Sequence, residues 1–185
     1  KAPLFDQMFV GTMLRGLGGL PVYRRQDDAE QMHRNEDTFR LAIAALQAGD
    51  AVQIYPEGTS HSEPGLVALR TGAARIALGS EVAGLRVVPA GLFYTDKTVF
   101  RSGALLCFGA PIDVALIPPG PDDEPPAEPV RALTTRLETA LGELTLQADH
   151  HEALRLVESA DRLLATAEKT EPDLAVHFDR RQRLL

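Results

Sequence analysis

The sequence describes an α/β protein, a mostly parallel sheet covered by helices, with a C-terminal helical extension. Through residues 1–117, apolar runs of strand length alternate with stretches whose apolar residues recur at helical spacing. Strands joined by crossover helices have this order. Beyond residue 117 the composition turns Pro-rich and acidic, then helical in pattern. A chain of 185 residues, 44% hydrophobic and 24% charged, can bury one sizeable core. The expected division is an α/β domain over 1–117, incomplete at its N-terminal edge, a linker over 118–129 and a helical tail over 130–185.

Leu4, Phe5, Met8, Phe9, Leu14 and Leu17 share helical spacing, and Gly16, Gly18 and Gly19 interrupt the run. The apolar face of this first helix has two candidate partners, a core sheet or a bilayer surface. Leu20 to Arg24 reads as a short strand. A helix capped by Asp27 or Asp28 then runs through Met32, Phe39, Leu41, Ile43 and Leu46 and stops at Gly49. Ala51 to Tyr55 is β-leaning and ends at Pro56, as a buried strand opening into a loop would. Leu66 to Leu78 has helical pattern, while Leu85 to Phe93 and Ala104 to Phe108 are apolar enough for central strands. Six prolines between 118 and 129, with Asp122 to Glu124, mark a solvated linker. Leu133, Leu137, Leu141 and Leu144, then Leu154, Val157, Leu163 and Leu164, predict two helices over Val130–Leu146 and His151–Ala167.

The net charge of −7 argues against nucleic acid as a partner. Residues 1–117 hold 11 Lys/Arg against 12 Asp/Glu, a balance of −1; residues 118–185 hold 8 against 14, a balance of −6. The acidity belongs to the tail, and the first part keeps enough cations to receive a phosphate. The lone Cys107 lies in an apolar run and fits an inert buried thiol, so no disulfide framework is expected. No stretch reaches the roughly 18 apolar residues of a membrane span, and no signal peptide is expected before the domain. The expected location is the cytoplasm or the cytoplasmic face of a membrane.

Tyr55-Pro56-Glu57-Gly58-Thr59-Ser60-His61 follows a predicted strand, where open α/β sheets place ligands. Gly58 allows backbone to approach a ligand closely, Thr59 and Ser60 offer hydroxyls, and the following helix presents N–H groups to an anion. A capped strand-to-helix turn would need the same residues. Glu57 suits an anion site only if it accepts hydrogen bonds from a hydroxyl or an arginine.

This loop resembles the third block of the glycerolipid acyltransferases, Phe-Pro-Glu-Gly-Thr-Arg-Ser. It departs at Ser60 and His61, with Tyr55 a conservative change. Gly19-Leu20-Pro21-Val22-Tyr23-Arg24 is similar to the second block, whose arginine is implied to hold the acceptor's phosphate. Val88-Pro89-Ala90 resembles the fourth, implied to shape the acyl pocket. Arg70-Thr71-Gly72-Ala73 resembles the basic step after the third block. The resemblance covers residues 1–117. It implies transfer of a fatty acyl group from acyl-CoA or acyl carrier protein to the hydroxyl of glycerol 3-phosphate or lysophosphatidate. Arg24, Glu57, Gly58, Thr59, Ser60 and Arg70 would bind the acceptor, with His61, Lys97 and Arg101 as secondary candidates. The acyl thioester is a co-substrate; no cofactor or metal is expected, and peripheral membrane contact follows from the lipid chemistry.

The family's first block, a His and an Asp separated by four residues, does not precede Gly19. The general base is therefore expected upstream of Lys1, with none in this chain. His33 and Asp37, three residues apart and after the second block, fit an exposed pair on one helix face. His61 has no partner set by spacing to orient it and fits a hydrogen-bonding loop residue. His150 and His151 fit a helix start capped by Asp149. Two other readings stand beside this one: a non-catalytic relative that binds lipid phosphate, and an unrelated α/β enzyme acting on a small phosphorylated substrate.

Overall fold

The computed structural model describes residues 5–21, 35–96, 98–120, 124–168 and 173–185. The chain divides into two units: Lys1–Gly58, Arg70–Leu85 and Val114–Arg131 form the first, and Thr59–Leu69, Arg86–Asp113 and Ala132–Leu185 the second.

In the first unit, α1 spans Met8–Gly16. It begins where Phe5 turns inward against Gly11, whose position tolerates no side chain: a Cβ there would lie 2.2 Å from the Phe5 carbonyl oxygen. Gly18, at φ +76°, ends the helix, and the Gly19 amide closes the turn on the Leu14 carbonyl at 2.8 Å. α2, Asn35–Gln47, buries Thr38 and Ala42, and the Thr38 hydroxyl donates to the Pro21 carbonyl at 2.6 Å. It stops at Gly49, φ +88°, as its sequence predicts. α3, Gly72–Gly79, buries Ala74, Ile76, Ala77 and Leu78. Its small residues let α2 approach: Gly72 sits against the Phe39 ring and Gly79 against Ile43. Gln47 ties the two ends together by donating to the Ser80 carbonyl at 3.1 Å.

The second unit holds the described strands: β1 Arg86–Val87, β2 Ala90–Tyr94, β3 Ala104–Phe108 and β4 Ile112–Asp113. Both described ladders are antiparallel pairs, β1 with β4 and β2 with β3. The single strand expected over Leu85–Phe93 is divided at Pro89, which has no N–H to give to a ladder. Across the hairpin, Leu92 faces Leu106 and Ala90 faces Phe108. Leu92, Leu106 and Phe108 are exposed on one side. On the other side, Gly91 lies against the Leu144 backbone and Phe93 packs on Phe178, ring centroids 5.6 Å apart.

The two expected tail helices form as α4, Ala127–Glu143, and α5, His151–Glu168. α4 buries the predicted stripe Leu133, Leu137 and Leu141, joined by Val130, whereas Leu163 and Leu164 of α5 are exposed. A further helix, α6 over Leu174–Leu184, is capped by Asp173, which accepts from the Ala175 amide at 2.9 Å.

Two expectations in the first unit are met differently. Ala51–Tyr55 forms no strand ladder among the described residues, and Ile54 and Tyr55 are exposed. Of the short strand expected over Leu20–Arg24, residues 22–24 lie outside the described residues. The helix expected from Leu66 begins only at Gly72, because the Arg70 amide donates to the Pro56 carbonyl instead of to a helical partner.

Candidate functional site

The site grows from one turn. The Gly58 amide donates to the Tyr55 carbonyl at 3.2 Å, closing Tyr55-Pro56-Glu57-Gly58 as a four-residue turn. Pro56 presets its first corner and Gly58, at φ +68°, takes the left-handed conformation that a side chain resists. The chain then leaves through Thr59–Leu69, in the second unit, and comes back at Arg70, whose amide reaches the Pro56 carbonyl at 2.7 Å. This return lays the Arg70 stem on Gly58: a Cβ on the glycine would stand 3.1 Å from Arg70 Cγ. Arg70 is exposed and Glu57 half-buried. A fixed turn, a carboxylate and a guanidinium anchored by its own backbone are so assembled from residues twelve positions apart.

The structure thus brings Gly58 and Arg70 together. Thr59 and Ser60 follow the turn as exposed residues of the second unit. His61 accepts from the Glu63 amide through Nδ1 at 3.1 Å, the loop role its sequence context suggests. The departing segment is pinned in the second unit, where the Leu66 amide donates to Gln147 Oε1 at 3.0 Å and the Ala148 amide to the Pro64 carbonyl at 3.3 Å. Arg101 is exposed on the β2–β3 loop at φ +65°. In that loop the Thr98 hydroxyl and amide donate to Asp96 and hold its carboxyl below the usual range. Arg24 and Lys97 lie outside the described residues, as does His33. Among the described residues no group of His, Cys, Asp and Glu has the arrangement of a metal site.

One cluster was not anticipated. Asp161 of α5 is fully buried, 0% exposed, and its carboxylate meets His177 Nδ1 at 2.8 Å, Arg181 Nε at 2.8 Å and Arg180 Nη1 at 3.4 Å, all from α6. Burial pushes the Asp161 carboxyl up, but the hydrogen bonds and charges of Arg181 and His177 outweigh it and hold the group below the usual carboxylate range. The sequence carries one signal for it: Asp161 falls at the spacing of the apolar stripe, four residues after Val157 and three before Leu164, where a charge needs partners.

The chain belongs to the glycerolipid acyltransferase family; the family described as Acyltransferase matches residues 1–92. Among its relatives, glycerol-3-phosphate O-acyltransferase 2 of Saccharomyces cerevisiae is 34% identical over 133 residues, 70% of this chain and 18% of the relative. Glycerol-3-phosphate O-acyltransferase 1 of the same yeast is 28% identical over 153 residues, 80% of this chain and 20% of the relative. An uncharacterized acyltransferase of Schizosaccharomyces pombe is 29% identical over 133 residues, 66% of this chain and 19% of the relative. The chain therefore spans about a fifth of the length of these curated relatives. No solved structure matches it.

Proposed function

We propose that the protein transfers a fatty acyl group from a thioester, acyl-CoA or acyl carrier protein, to the hydroxyl of a phosphorylated glycerol acceptor, glycerol 3-phosphate or lysophosphatidate. The names of the two yeast relatives supply O-acyl transfer to glycerol 3-phosphate; the thioester donor and the lysophosphatidate alternative come from the resemblance of the sequence blocks. The observation that ties it to residues is Arg70 resting on the Gly58 turn. In this reading Arg70 and Arg24 hold the acceptor's phosphate by charge-assisted hydrogen bonds, and Glu57, Thr59 and Ser60 orient the hydroxyl. The acceptor oxygen attacks the thioester carbonyl carbon, the C–S bond breaks, and the departing thiolate takes up the proton that the base removed from the hydroxyl. A weakly nucleophilic alcohol requires such a base. A His–Asp pair of the family's kind would provide it.

No helix among the described residues is long and apolar enough to cross a membrane. Membrane contact is proposed to be peripheral, through α1. The mostly parallel sheet covered by helices is kept as a proposal, in which the Gly58 turn follows the end of a strand over Ala51–Tyr55.

The test is coenzyme A release by the full-length protein with each acceptor. Arg70→Ala is expected to raise the acceptor KM more than tenfold, since a charge-assisted pair to phosphate contributes about 1.5 to 3 kcal/mol. An unchanged KM would remove Arg70 from the site, and no release with either acceptor would remove the substrate assignment.

A further inference from the structure

A cleft of about 440 Å³ lies wholly within the second unit between β2, the β2–β3 loop, α5 and α6. Phe93 and Leu174 form its apolar wall, and Arg162, His177 and Arg181 bring cationic or N–H-bearing groups to it. These groups are held in place from behind. Arg181 spends Nε on the buried Asp161 and stacks its guanidinium over the Phe93 ring, 5.4 Å from the centroid. Among the described residues its two Nη groups have no hydrogen-bond partner. His177 spends Nδ1 on the same carboxylate, which leaves Nε2 as its remaining polar atom. Arg162 is 68% exposed and, among the described residues, pairs with Glu158 of its own helix at 3.5 Å. The carboxylate of Asp173 also lines the cleft, but it is committed to the Ala175 amide at the start of α6, where the positive end of the helix dipole partly offsets its charge. Arg180 faces away, toward Glu168 at 2.7 Å.

We propose that this cleft binds an anionic amphiphile, a phosphate or carboxylate head joined to an apolar chain. The head meets Arg181, Arg162 and His177, and the first carbons of the chain lie on Phe93 and Leu174. Two features select for it. A guanidinium whose Nε is already fixed by a buried carboxylate presents its outer N–H pair without further loss of side-chain freedom, the geometry that suits two oxygens of one head group. An aromatic ring and a leucine beside that pair have no use for a free inorganic ion. The proposal stands apart from the acyl-transfer reading and uses none of its residues.

Titration of the protein with dodecyl phosphate below its micellar concentration tests it, with inorganic phosphate and dodecanol as the two partial ligands. Saturable binding by dodecyl phosphate is expected at least tenfold tighter than either, with a shift of the His177 ring resonances. Arg162→Gln, at an exposed position that the fold does not need, is expected to weaken it about fivefold to tenfold, and Arg181→Lys more. Equal affinity for inorganic phosphate would remove the apolar wall from the site, and equal affinity for dodecanol would remove the anionic head. Binding unchanged in Arg162→Gln, or no binding at all, overturns the proposal.

Discussion

Two glycines separate what a residue does for the fold from what it does for the site. Gly49 and Gly58 both hold positive φ, +88° and +68°, and an L side chain at either costs about 1–2 kcal/mol in backbone strain. Around a Cβ at Gly49 nothing lies within 4 Å, whereas at Gly58 the Cγ of Arg70 stands at 3.1 Å. Gly49→Ala is expected to lower stability by about 1 kcal/mol and leave acceptor affinity alone. Gly58→Ala is expected to cost a similar amount of stability and to raise the acceptor KM several-fold, because the new methyl displaces the Arg70 stem. Denaturation midpoints and KM measured on both variants compare the two directly; equal KM values would show that the contact between Gly58 and Arg70 has no part in acceptor binding. The Pro-Glu-Gly-Thr sequence announced a turn, and Gly58 was identifiable from it. That Arg70 closes on that turn was not, since the contact depends on an eleven-residue excursion whose path no local pattern encodes.

At the scale of elements, legibility followed the regularity of each apolar pattern. α2, α4 and α5 were readable because their apolar residues recur at helical spacing, with Gly49 stopping the first. The run from Leu85 to Phe93 looked like one strand because every apolar residue in it counts alike; Pro89 alone decides that it is two. α6 was missed because its apolar residues are few and its start depends on Asp173 as a cap, while its hold on α5 is ionic, through a buried carboxylate rather than a stripe. For α1 the sequence left two partners open. Met8 and Phe9 are 92% and 86% exposed, and Met13 and Leu17 are exposed as well, so these residues stay out of the core, which Phe5 alone of the stripe's described residues enters. If this face meets a bilayer, Phe9→Ser is expected to reduce binding to phospholipid vesicles about tenfold or more, since burying a phenylalanine contributes about 1.5–3 kcal/mol. Unchanged sedimentation with vesicles would leave the stripe to a protein partner.

The molecule as a whole carries a net charge of −7, most of it in the tail, yet the tail's structure depends on one carboxylate staying ionised. Asp161 is packed among His177, Arg180 and Arg181 of α6, with Glu168 beyond Arg180 and Arg162 next along its own helix. Replacing it with asparagine leaves the largely buried Arg181 without its counter-charge, while Arg180 keeps Glu168, and losing one partner of a buried ion pair costs about 3–5 kcal/mol. Its pKa in the folded protein lies below the value of about 3.9 expected of an unfolded aspartate. The unfolded chain therefore binds a proton here at a higher pH than the folded one. The stabilisation from Asp161 is complete above about pH 4 to 5 and is lost as pH falls from there through the folded pKa. The urea midpoint of the second unit, followed by a probe on α6, is expected to be flat from neutral pH to about 5 and to fall steeply below 4. Asp161→Asn is expected to start lower and to lack most of that fall. A variant that keeps the acid slope of the parent would mean that other carboxylates set it, and that the cluster holds α6 by packing rather than by charge.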